Sequence, residues 1–369
     1  MKKKTCCIFN LATHYNAPIY KMMDKEIKCD FYLGDRSFES IKLMNYSDLK
    51  GFKKVLPFKR IYGNFYLQKG AINLAFKNYQ NYIVTGEPYC LSTWMVLIFT
   101  KLLKKRSFVW THGWYGDETF IKKLIKKLFF KMSYKVLLYG DYARDLMIKE
   151  GFNSDRLVCI YNSLDYQLQL EVRKSLSYTS IYVNHFKNED PVVLYIGRIQ
   201  KVKKINLLIE ALRLLHIKVM KCNLIIIGKE TDECNIHDLV SKYQLEQKVW
   251  FYGPAYDESK LGELIYNAQV CVSPGNVGLT AMHCMVYGLP VVTHNNFLNQ
   301  MPEFESIEPG VTGDYFIENS VEDLYTKIEY WISINKNERD HVRESCYQKI
   351  REKYNPHFQL EVIKNVLNE

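Results

Sequence analysis

The sequence lacks an apolar run long enough to cross a membrane. Its longest such stretch, Trp94 to Leu103, is interrupted by Lys101 and falls well short of the roughly 20 residues that a spanning helix needs. The basic amino terminus leads into an apolar run of only a few residues before Asn10, too short for a signal peptide. We therefore expect Thr5 to Leu11 to form a buried first strand.

Paired cysteines are also missing. The 369 residues include 10 cysteines, but none forms a C-x-x-C pair, and only Cys6 and Cys7 are adjacent. This excludes a zinc ribbon or a disulfide scaffold and favours free thiols in a reducing cytoplasm. Internal repeats and low-complexity tracts are absent from the sequence as well. What remains is a soluble globular chain whose length predicts about two domains.

The charge is unbalanced towards the basic side. Lys and Arg number 50 against 40 Asp and Glu, so the net charge is +10, which favours an anionic partner such as a nucleotide phosphate, acidic lipid or nucleic acid. No recognised nucleic-acid-binding motif accompanies this charge, and a cluster of lysines falls on one helix face rather than along a groove. We therefore expect no nucleic-acid partner.

Short β-like runs alternate with helical ones along the chain, which predicts an α/β fold with parallel sheets. In the first half, the expected strands are Phe31 to Leu33, Tyr82 to Thr85, Phe108 to Trp110 and Leu157 to Tyr161, and the expected helices are Leu67 to Tyr79 and Ser92 to Leu103. A second series has strands Val192 to Ile196, Cys222 to Ile227, Val249 to Tyr252, Val270 to Val272 and Pro290 to Thr293, with helices Asn206 to Lys218 and Ser259 to Asn267. A final helical segment, Asn337 to Asn368, is broken near Asn355 and Pro356. The pattern predicts two α/β lobes in tandem.

A polar cluster, residues 111–118, follows the strand Phe108 to Trp110. Ligands of parallel sheets bind beyond the carboxyl ends of the strands, where this cluster lies. Gly113 and Gly116 flank His112 and would let the backbone approach a ligand. A histidine that only closes a turn is the alternative. The combination of His, Trp, Tyr and two carboxylates favours a functional His112.

The next helical segment, residues 119–135, is amphipathic. One face carries Ile121, Leu124, Ile125, Leu128, Phe129 and Met132, and the other carries Lys122, Lys123, Lys126, Lys127 and Lys131, with Phe130 among the lysines. One interpretation is a solvated lysine face over a packed core. The other is an anionic membrane surface as partner, since the five lysines have no expected acidic partner and an aromatic residue lies on their face. The sequence leaves both open.

Two stretches of the second half could bind a diphosphate. Arg198 follows the strand that ends at Gly197, and Lys203 comes five residues later; Arg offers a planar fork and Lys a point charge. Residues 271–293 read as strand, tight loop, helix, turn and strand. The loop leaves the amides of a helix start open to an anion, although an ordinary crossover without a ligand would give the same pattern.

Four segments occur in the order found in one known family. They are CIYNSLD, YIGRIQKVKKINLLIEAL, SPGNVGLTAMHCMVYGLPVV and EPGVTGDYF, within about residues 108–317. They resemble glycosyltransferase family 4. This resemblance implies the GT-B fold, in which two Rossmann-like lobes face a cleft and a carboxyl-terminal helix crosses back to the first lobe. The implied divisions are an acceptor-side lobe at 1–168, a donor lobe at 169–345 and the returning helix at 346–369.

The resemblance also implies a metal-independent transfer from a nucleotide-diphosphate sugar, with retention at the anomeric carbon and without a further cofactor. Arg198 and Lys203 would hold the diphosphate and stabilise charge as the nucleotide leaves, and His112 would face the donor sugar. These three are the expected catalytic residues. The expected donor-binding residues are Gly197, Asn276, Gly278, Leu279, Thr280, His283, Glu303 and Glu305. No metal ligands are expected.

Two positions depart from the family pattern. The family usually carries one Glu in the loop and a second eight residues later, and the second grips the ribose hydroxyls. Here these positions are Gly275 and His283. His283 could hydrogen-bond one hydroxyl but cannot act as a bidentate carboxylate. The nearest carboxylates along the chain are Glu303 and Glu305, and Glu305 stands five residues before Gly310, where the family also tends to place a Glu.

The expected function is therefore sugar transfer to a saccharide or lipid-linked acceptor, in the synthesis of bacterial capsule or O-antigen. The expected location is the cytoplasm, with peripheral association at the inner face of the plasma membrane. A glycoside hydrolase is one rival, but it needs two carboxylates about 5 to 9.5 Å apart, and the adjacent Asp117 and Glu118 would diverge. A non-catalytic nucleotide-sugar or membrane-binding subunit is the other rival, because of the changes at Gly275 and His283.

Overall fold

The computed structural model describes residues 4–35, 42–218, 220–232 and 234–369. Met1, Lys2 and Lys3 lie outside these ranges. The chain splits into two compact units. The first unit combines Met1–Asp165 with Asn355–Glu369, and the second is Tyr166–Tyr354.

The first unit is built on a seven-stranded parallel sheet with strand order β3-β2-β1-β6-β7-β8-β9, and β4 and β5 form a separate hairpin. Its strands are β1 Thr5–Phe9, β2 Asp30–Gly34, β3 Phe52–Leu56, β4 Phe58–Tyr62, β5 Phe65–Gln68, β6 Asn81–Thr85, β7 Arg106–Thr111, β8 Lys135–Leu138 and β9 Leu157–Cys159. Its helices before residue 165 are α1 Ala17–Glu26, α2 Ala71–Leu74, α3 Leu91–Leu102, α4 Phe120–Met132 and α5 Asp141–Lys149. The strand order reverses between β1 and β6, as in Rossmann folds.

Both faces of this sheet are covered. Alternate residues of β1 enter opposite cores: Cys7 and Phe9 pack in one, and Cys6 and Ile8 in the other. A strand that is buried on both faces carries a continuous apolar run, because each face must be apolar. This explains why the run beginning at Thr5 predicts β1 well.

The second unit repeats the architecture with a six-stranded parallel sheet, in the order β12-β11-β10-β13-β14-β15. Its strands are β10 Val192–Ile196, β11 Asn223–Ile227, β12 Val249–Gly253, β13 Val270–Ser273, β14 Val291–His294 and β15 Gly313–Phe316. Its helices are α6 Tyr166–Lys174, α7 Ile181–Phe186, α8 Ile205–Ile217, α9 Ile236–Lys242, α10 Glu258–Asn267, α11 Thr280–Met285, α12 Val321–Ser333 and α13 Lys336–Glu352. The order reverses between β10 and β13. Two Rossmann-like lobes are thus confirmed.

The last helix, α14 Pro356–Asn368, returns to the first unit. Asn355 caps it by accepting a hydrogen bond from the amide of Phe358 at 3.0 Å, and proline is well suited to the first helical position. Leu360 and Ile363 are buried in the core that also contains residues of α1. The break at Asn355 and Pro356 is confirmed.

The expected helix from Leu67 to Tyr79 is wrong. Residues Phe65–Gln68 form β5, paired antiparallel with β4, and only Ala71–Leu74 are helical. Gly63 adopts a φ of 54° at the turn, and the rings of Phe58 and Tyr66 pack across the hairpin with centroids 4.6 Å apart. The cross-strand aromatic contact and the glycine turn therefore override the local helical pattern.

The helix α4 forms as expected, but much of its expected apolar face is exposed, and only Phe129 and Met132 of that face reach the core. Phe130, expected among the lysines, is buried, while Ile121, Leu124 and Leu128 are 69%, 51% and 55% exposed. The idea that the lysines lack acidic partners is also wrong. Lys123 and Lys127 pair with Glu150 at 2.6 and 2.7 Å, and Lys126 pairs with Glu118 at 2.5 Å. Within the described ranges, no helix has the length and apolarity to cross a membrane.

Candidate active site

A cavity of about 530 Å³ lies in the first unit, at the point where its strand order reverses. Residues that follow β1, β6 and β7 line it, among them Asn10, Glu87 and His112. Ligands of open α/β sheets bind at such a switch point. The strand-end cluster around His112 is therefore in a position to contact a ligand.

The imidazole of His112 lies among aromatic rings. Its centroid is 4.8 Å from that of Tyr139 and 6.2 Å from that of Tyr115. Burial, together with the nearby charge of Lys126, lowers the pKa of His112 to about 4, so the ring is neutral at physiological pH. Among the described residues, its nitrogens bond no backbone carbonyl, so His112 does not close a turn in the way that the alternative interpretation required.

One carboxylate at this cavity, that of Glu118, is held by the protein. Glu118 accepts hydrogen bonds from the amides of Tyr115 and Gly116, both at 2.9 Å, and from Lys126. Burial raises the pKa of Glu118, but these partners outweigh it, and the pKa falls below its usual range. A glycosidase needs a general acid with a raised pKa. Glu118 is therefore suited to fixing the loop and unsuited to proton donation.

In the second unit, the loops after β10 and β13 meet where the strand order reverses. The hydroxyl of Thr280 donates to the carbonyl of Ile196 at 3.0 Å, and the amide of Gly275 donates to the carbonyl of Lys203 at 2.9 Å. The ammonium of Lys203 donates to the backbone and side-chain oxygens of Asn276 at 2.7 and 2.8 Å. These contacts bring the two predicted diphosphate-binding stretches together.

The pKa of Lys203 is lowered by its surroundings. Burial lowers its pKa most, the adjacent charge of Arg198 lowers it further, and Glu303 opposes both, so the pKa is about 8. The other two lysines of this loop have different surroundings. Lys201 is exposed, and Lys204 pairs with Glu318 at 2.7 Å. Two cations held close together, one of them partly buried, form a site whose charge an anion would neutralise.

Backbone amides face the same region. The amides of Gly278, Leu279 and Thr280 have no acceptor among the residues that the structure describes, whereas the amide of Val277 donates to Gln300 at 2.7 Å. Gly275 is packed tightly: a Cβ atom there would lie 2.1 Å from the carbonyl oxygen of Val202. No side chain can therefore be carried where the family places its first Glu.

His283 contacts a carboxylate that sequence reasoning missed. Its Nε2 lies 2.9 Å from Oε1 of Glu258, the first residue of α10. One signal was available, because Glu258 comes a few residues after the expected strand Val249 to Tyr252, at the carboxyl edge of the sheet. The sequence did not reveal that α10 and α11 place these two residues side by side.

Glu303 and Glu305, the carboxylates that the sequence offers in place of the two missing family Glu residues, differ in position. Glu303 is buried, its charge acts on Lys203, and its Oε2 is 4.0 Å from where a Cβ of Gly278 would be. Glu305 acts on Tyr315, whose pKa is raised by burial and by this carboxylate. Of the pair, Glu303 is the one that the structure brings to Lys203. The donor-binding roles of both remain predictions.

Residues 180–351 match the family described as glycosyl transferases group 1. This span lies inside the second unit and contains both cations and the loop after β13. Together with the two-lobed fold, the match decides the class of protein. The chain is a glycosyltransferase. The expected resemblance and the enzyme class are thereby confirmed.

Solved structures with the GT-B fold resemble this glycosyltransferase over its whole length. HepE from Anabaena in complex with UDP is 13% identical, with a TM-score of 0.73 over 99% of each chain. A glycosyltransferase from Rickettsia africae is 16% identical, with a TM-score of 0.75 over 100% of this chain and 98% of that one. The apo form of the lipopolysaccharide outer core galactosyltransferase WaaB is 15% identical, with a TM-score of 0.70 over 99% of each chain. No curated protein sequence matches the chain significantly. Identities this low establish the fold of the glycosyltransferase and no finer property.

Proposed function

We propose that this glycosyltransferase transfers a sugar from a nucleotide-diphosphate sugar to a hydroxyl of a saccharide or lipid-linked saccharide. The transfer retains the anomeric configuration and needs no metal ion. The observation that carries the proposal is the pair of Arg198 and Lys203 at the switch point of the second sheet. Holding a partly buried ammonium beside a guanidinium lowers the pKa of Lys203 to about 8, and a bound diphosphate would offset that cost.

The two cations suit the chemistry of the leaving group. As the bond from the anomeric carbon to the diphosphate breaks, negative charge builds on the departing oxygen, and Arg198 and Lys203 stabilise it. The acceptor oxygen then bonds to the anomeric carbon on the same face. Its proton passes to the departing phosphate oxygen, so the reaction requires no enzyme nucleophile. That HepE was solved with UDP supports a nucleotide donor.

The cavity of the first unit is proposed to bind the acceptor saccharide. Aromatic side chains line much of it, including Tyr89, Trp110 and Tyr139, and aromatic faces pack well against sugar rings. Glu87 is fixed there by Asn10 at 2.7 Å and by the hydroxyl of Tyr66 at 2.6 Å. The neutral imidazole of His112 adds a group that can donate or accept a hydrogen bond.

The acceptor is proposed to be anchored in an anionic membrane beside α4. Ile125, Lys122 and Lys126 line the same cavity, so the cavity lies next to the exposed apolar side chains of this helix. Apolar side chains flanked by lysines are suited to the interface of an anionic bilayer. We place the protein at the cytoplasmic face of a bacterial membrane, in capsule or O-antigen synthesis. The lipopolysaccharide role in the name of WaaB supports this setting.

Calorimetric titration with UDP-, GDP- and dTDP-linked sugars tests the donor. We expect one nucleotide class to bind, and above pH 8 binding should take up protons, because the diphosphate raises the pKa of Lys203 from about 8. Two buffers with different ionisation enthalpies measure this uptake, and EDTA should leave binding and transfer unchanged. The exposed Lys201 provides a control, since Lys201→Met should leave the uptake intact. Absence of binding by every donor would refute the proposal, and binding without transfer would favour the non-catalytic subunit.

Liposome flotation tests the membrane surface. The double change Leu124→Gln and Leu128→Gln should weaken binding to vesicles of anionic phospholipid by about tenfold or more, because each leucine loses apolar burial worth on the order of 1 kcal/mol. Binding to these vesicles should also weaken as the salt concentration rises, and Lys122→Glu should weaken this binding as well. Ile217→Gln, at an exposed position on α8, is the matched control. Equal flotation of the double variant and the control would count against α4 as the docking face.

A further inference from the structure

The carboxylate of Glu258 is fixed through one oxygen only. Its Oε1 receives hydrogen bonds from the hydroxyl of Tyr287 at 2.7 Å and from Nε2 of Gln169 at 3.1 Å, and lies 2.9 Å from Nε2 of His283. Its Oε2 has no partner among the described residues, and 21% of the side chain is exposed. One oxygen is therefore anchored, and the other is open to a ligand.

Glu258 is ionised at every physiological pH. Burial raises its pKa, but the bond and charge of His283 and the bonds from Tyr287 and Gln169 lower it to about 2. An ionised carboxylate only accepts hydrogen bonds. A ligand group that meets the open oxygen must therefore be a donor, such as a hydroxyl or an N–H.

Contacts along α11 connect Glu258 to the residues proposed to bind the diphosphate. His283 follows Thr280 by three residues, which is about 4.5 Å along α11 at the usual helical rise. The hydroxyl of Thr280 in turn bonds the carbonyl of Ile196, directly before Gly197 and Arg198. Glu258 thus lies beside α11, in contact with a residue about one helical turn after Thr280.

A nucleotide-diphosphate sugar carries donor groups on both sides of its phosphates. On the nucleoside side, the nearest are the two neighbouring hydroxyls of the ribose. We infer that Oε2 of Glu258 accepts hydrogen bonds from this ribose diol, and that the enzyme consequently prefers a ribonucleotide donor to a 2′-deoxyribonucleotide donor. His283, Tyr287 and Gln169 act as positioning residues for the carboxylate. The inference rests on the proposed nucleotide-sugar function and adds a specificity residue on α10.

The alternative is that Glu258 only stabilises the contact between α10 and α11. A structural carboxylate would affect folding but would not distinguish a ribose from a deoxyribose. Affinity for matched nucleotides therefore separates the two roles. The appropriate probes are UDP with 2′-deoxy-UDP and GDP with 2′-deoxy-GDP, titrated into the full chain.

We expect the native protein to bind the ribonucleotide about 10- to 100-fold more tightly than its 2′-deoxy counterpart, the range for a hydrogen bond to a charged group. In Glu258→Gln this ratio should fall to within about threefold, because a neutral amide oxygen is a weaker acceptor. Glu263→Gln, also on α10 and partnered by Thr179 and Lys260, is the matched control and should keep the native ratio. His283→Gln, which loosens the carboxylate, should give an intermediate ratio.

Equal affinity of the native protein for the two nucleotides of a pair would overturn the inference, even if Glu258→Gln failed to fold. Persistence of the native ratio in a folded Glu258→Gln would overturn it too. Failure of the proposed function looks different, because no nucleoside diphosphate would then bind at all. Arg198→Ala separates the two further, since it should weaken both members of a pair equally and leave their ratio unchanged.

Discussion

Arg198→Ala is expected to lower kcat/KM for the sugar donor by about 10²- to 10³-fold, the usual loss when one group that stabilises developing negative charge is removed. The guanidinium lies close enough to Lys203 to lower the pKa of that ammonium. Its planar fork can also bind two phosphate oxygens at once. The alanine variant loses both the charge and this geometry, and steady-state kinetics with the donor varied would measure the loss.

The same substitution should also change the pH profile. In the native protein, Lys203 is charged below its pKa of about 8 and becomes neutral above it, so donor affinity should fall as the pH rises through this value. Removing Arg198 removes a like charge, which raises the pKa of Lys203. The alkaline limb of the variant should therefore lie at higher pH than the native limb, although its maximum rate is lower.

Two neighbouring variants act as controls. Arg198→Lys keeps the charge but loses the fork, so its kcat/KM should lie between those of the native protein and Arg198→Ala. Lys201→Ala removes an exposed lysine from the same loop and should leave both kinetics and pH profile unchanged. The role of Arg198 would be disproved by native turnover in Arg198→Ala.

The sequence predicts an element well when the pattern that determines it is local, and poorly when the element depends on a partner elsewhere in the chain. Strand β10 matches its expected bounds, Val192 to Ile196, because a strand buried on both faces leaves a continuous apolar run in the chain. The segment from Leu67 to Tyr79 misleads, because the contact between Phe58 and Tyr66 depends on a partner strand rather than on the local pattern. Local signals therefore predict the central strands and fail for the hairpin.

The same distinction applies to α4 and to the candidate site. Periodicity separates the two faces of α4, but Glu118 and Glu150, which pair with its lysines, lie outside the helix. The strand-end position of Gly197 and Arg198 can be predicted from the sequence, because both directly follow the apolar run of β10. Glu258 could not be predicted as a partner of His283, because 25 residues separate them and only the packing of α10 beside α11 joins them.

Gly275→Glu, which introduces the residue that the family usually carries at this position, is expected to destabilise the protein and abolish transfer. A Cβ at this position would lie 2.1 Å from the carbonyl oxygen of Val202 and 2.6 Å from Cα of Lys203. Both are backbone atoms, so the loop after β10 would have to move. Overpacking of this kind costs typically about 1–3 kcal/mol, and urea denaturation would measure the loss as a lower midpoint.

The loss of activity has a separate cause in the same geometry. The amide of Gly275 bonds the carbonyl of Lys203, and the ammonium of Lys203 bonds Asn276. A displaced loop would break this arrangement and move Lys203 away from Arg198. The added carboxylate would also place negative charge near a site proposed to bind a diphosphate, so donor affinity should fall together with stability.

Gly278→Ala in the same loop is the matched control. The nearest atoms to a Cβ there are Cγ of Met301 at 3.9 Å and Oε2 of Glu303 at 4.0 Å, which is ordinary van der Waals contact. Gly278→Ala should therefore unfold close to the native urea midpoint, whereas Gly275→Ala, which adds only the clashing Cβ, should already show most of the loss of Gly275→Glu. If Gly275→Glu proved as stable as the native protein and more active, the loop could accommodate the family carboxylate. The change at Gly275 would then be a simple loss of a donor contact, and the close packing of the two loops would not be the reason for it.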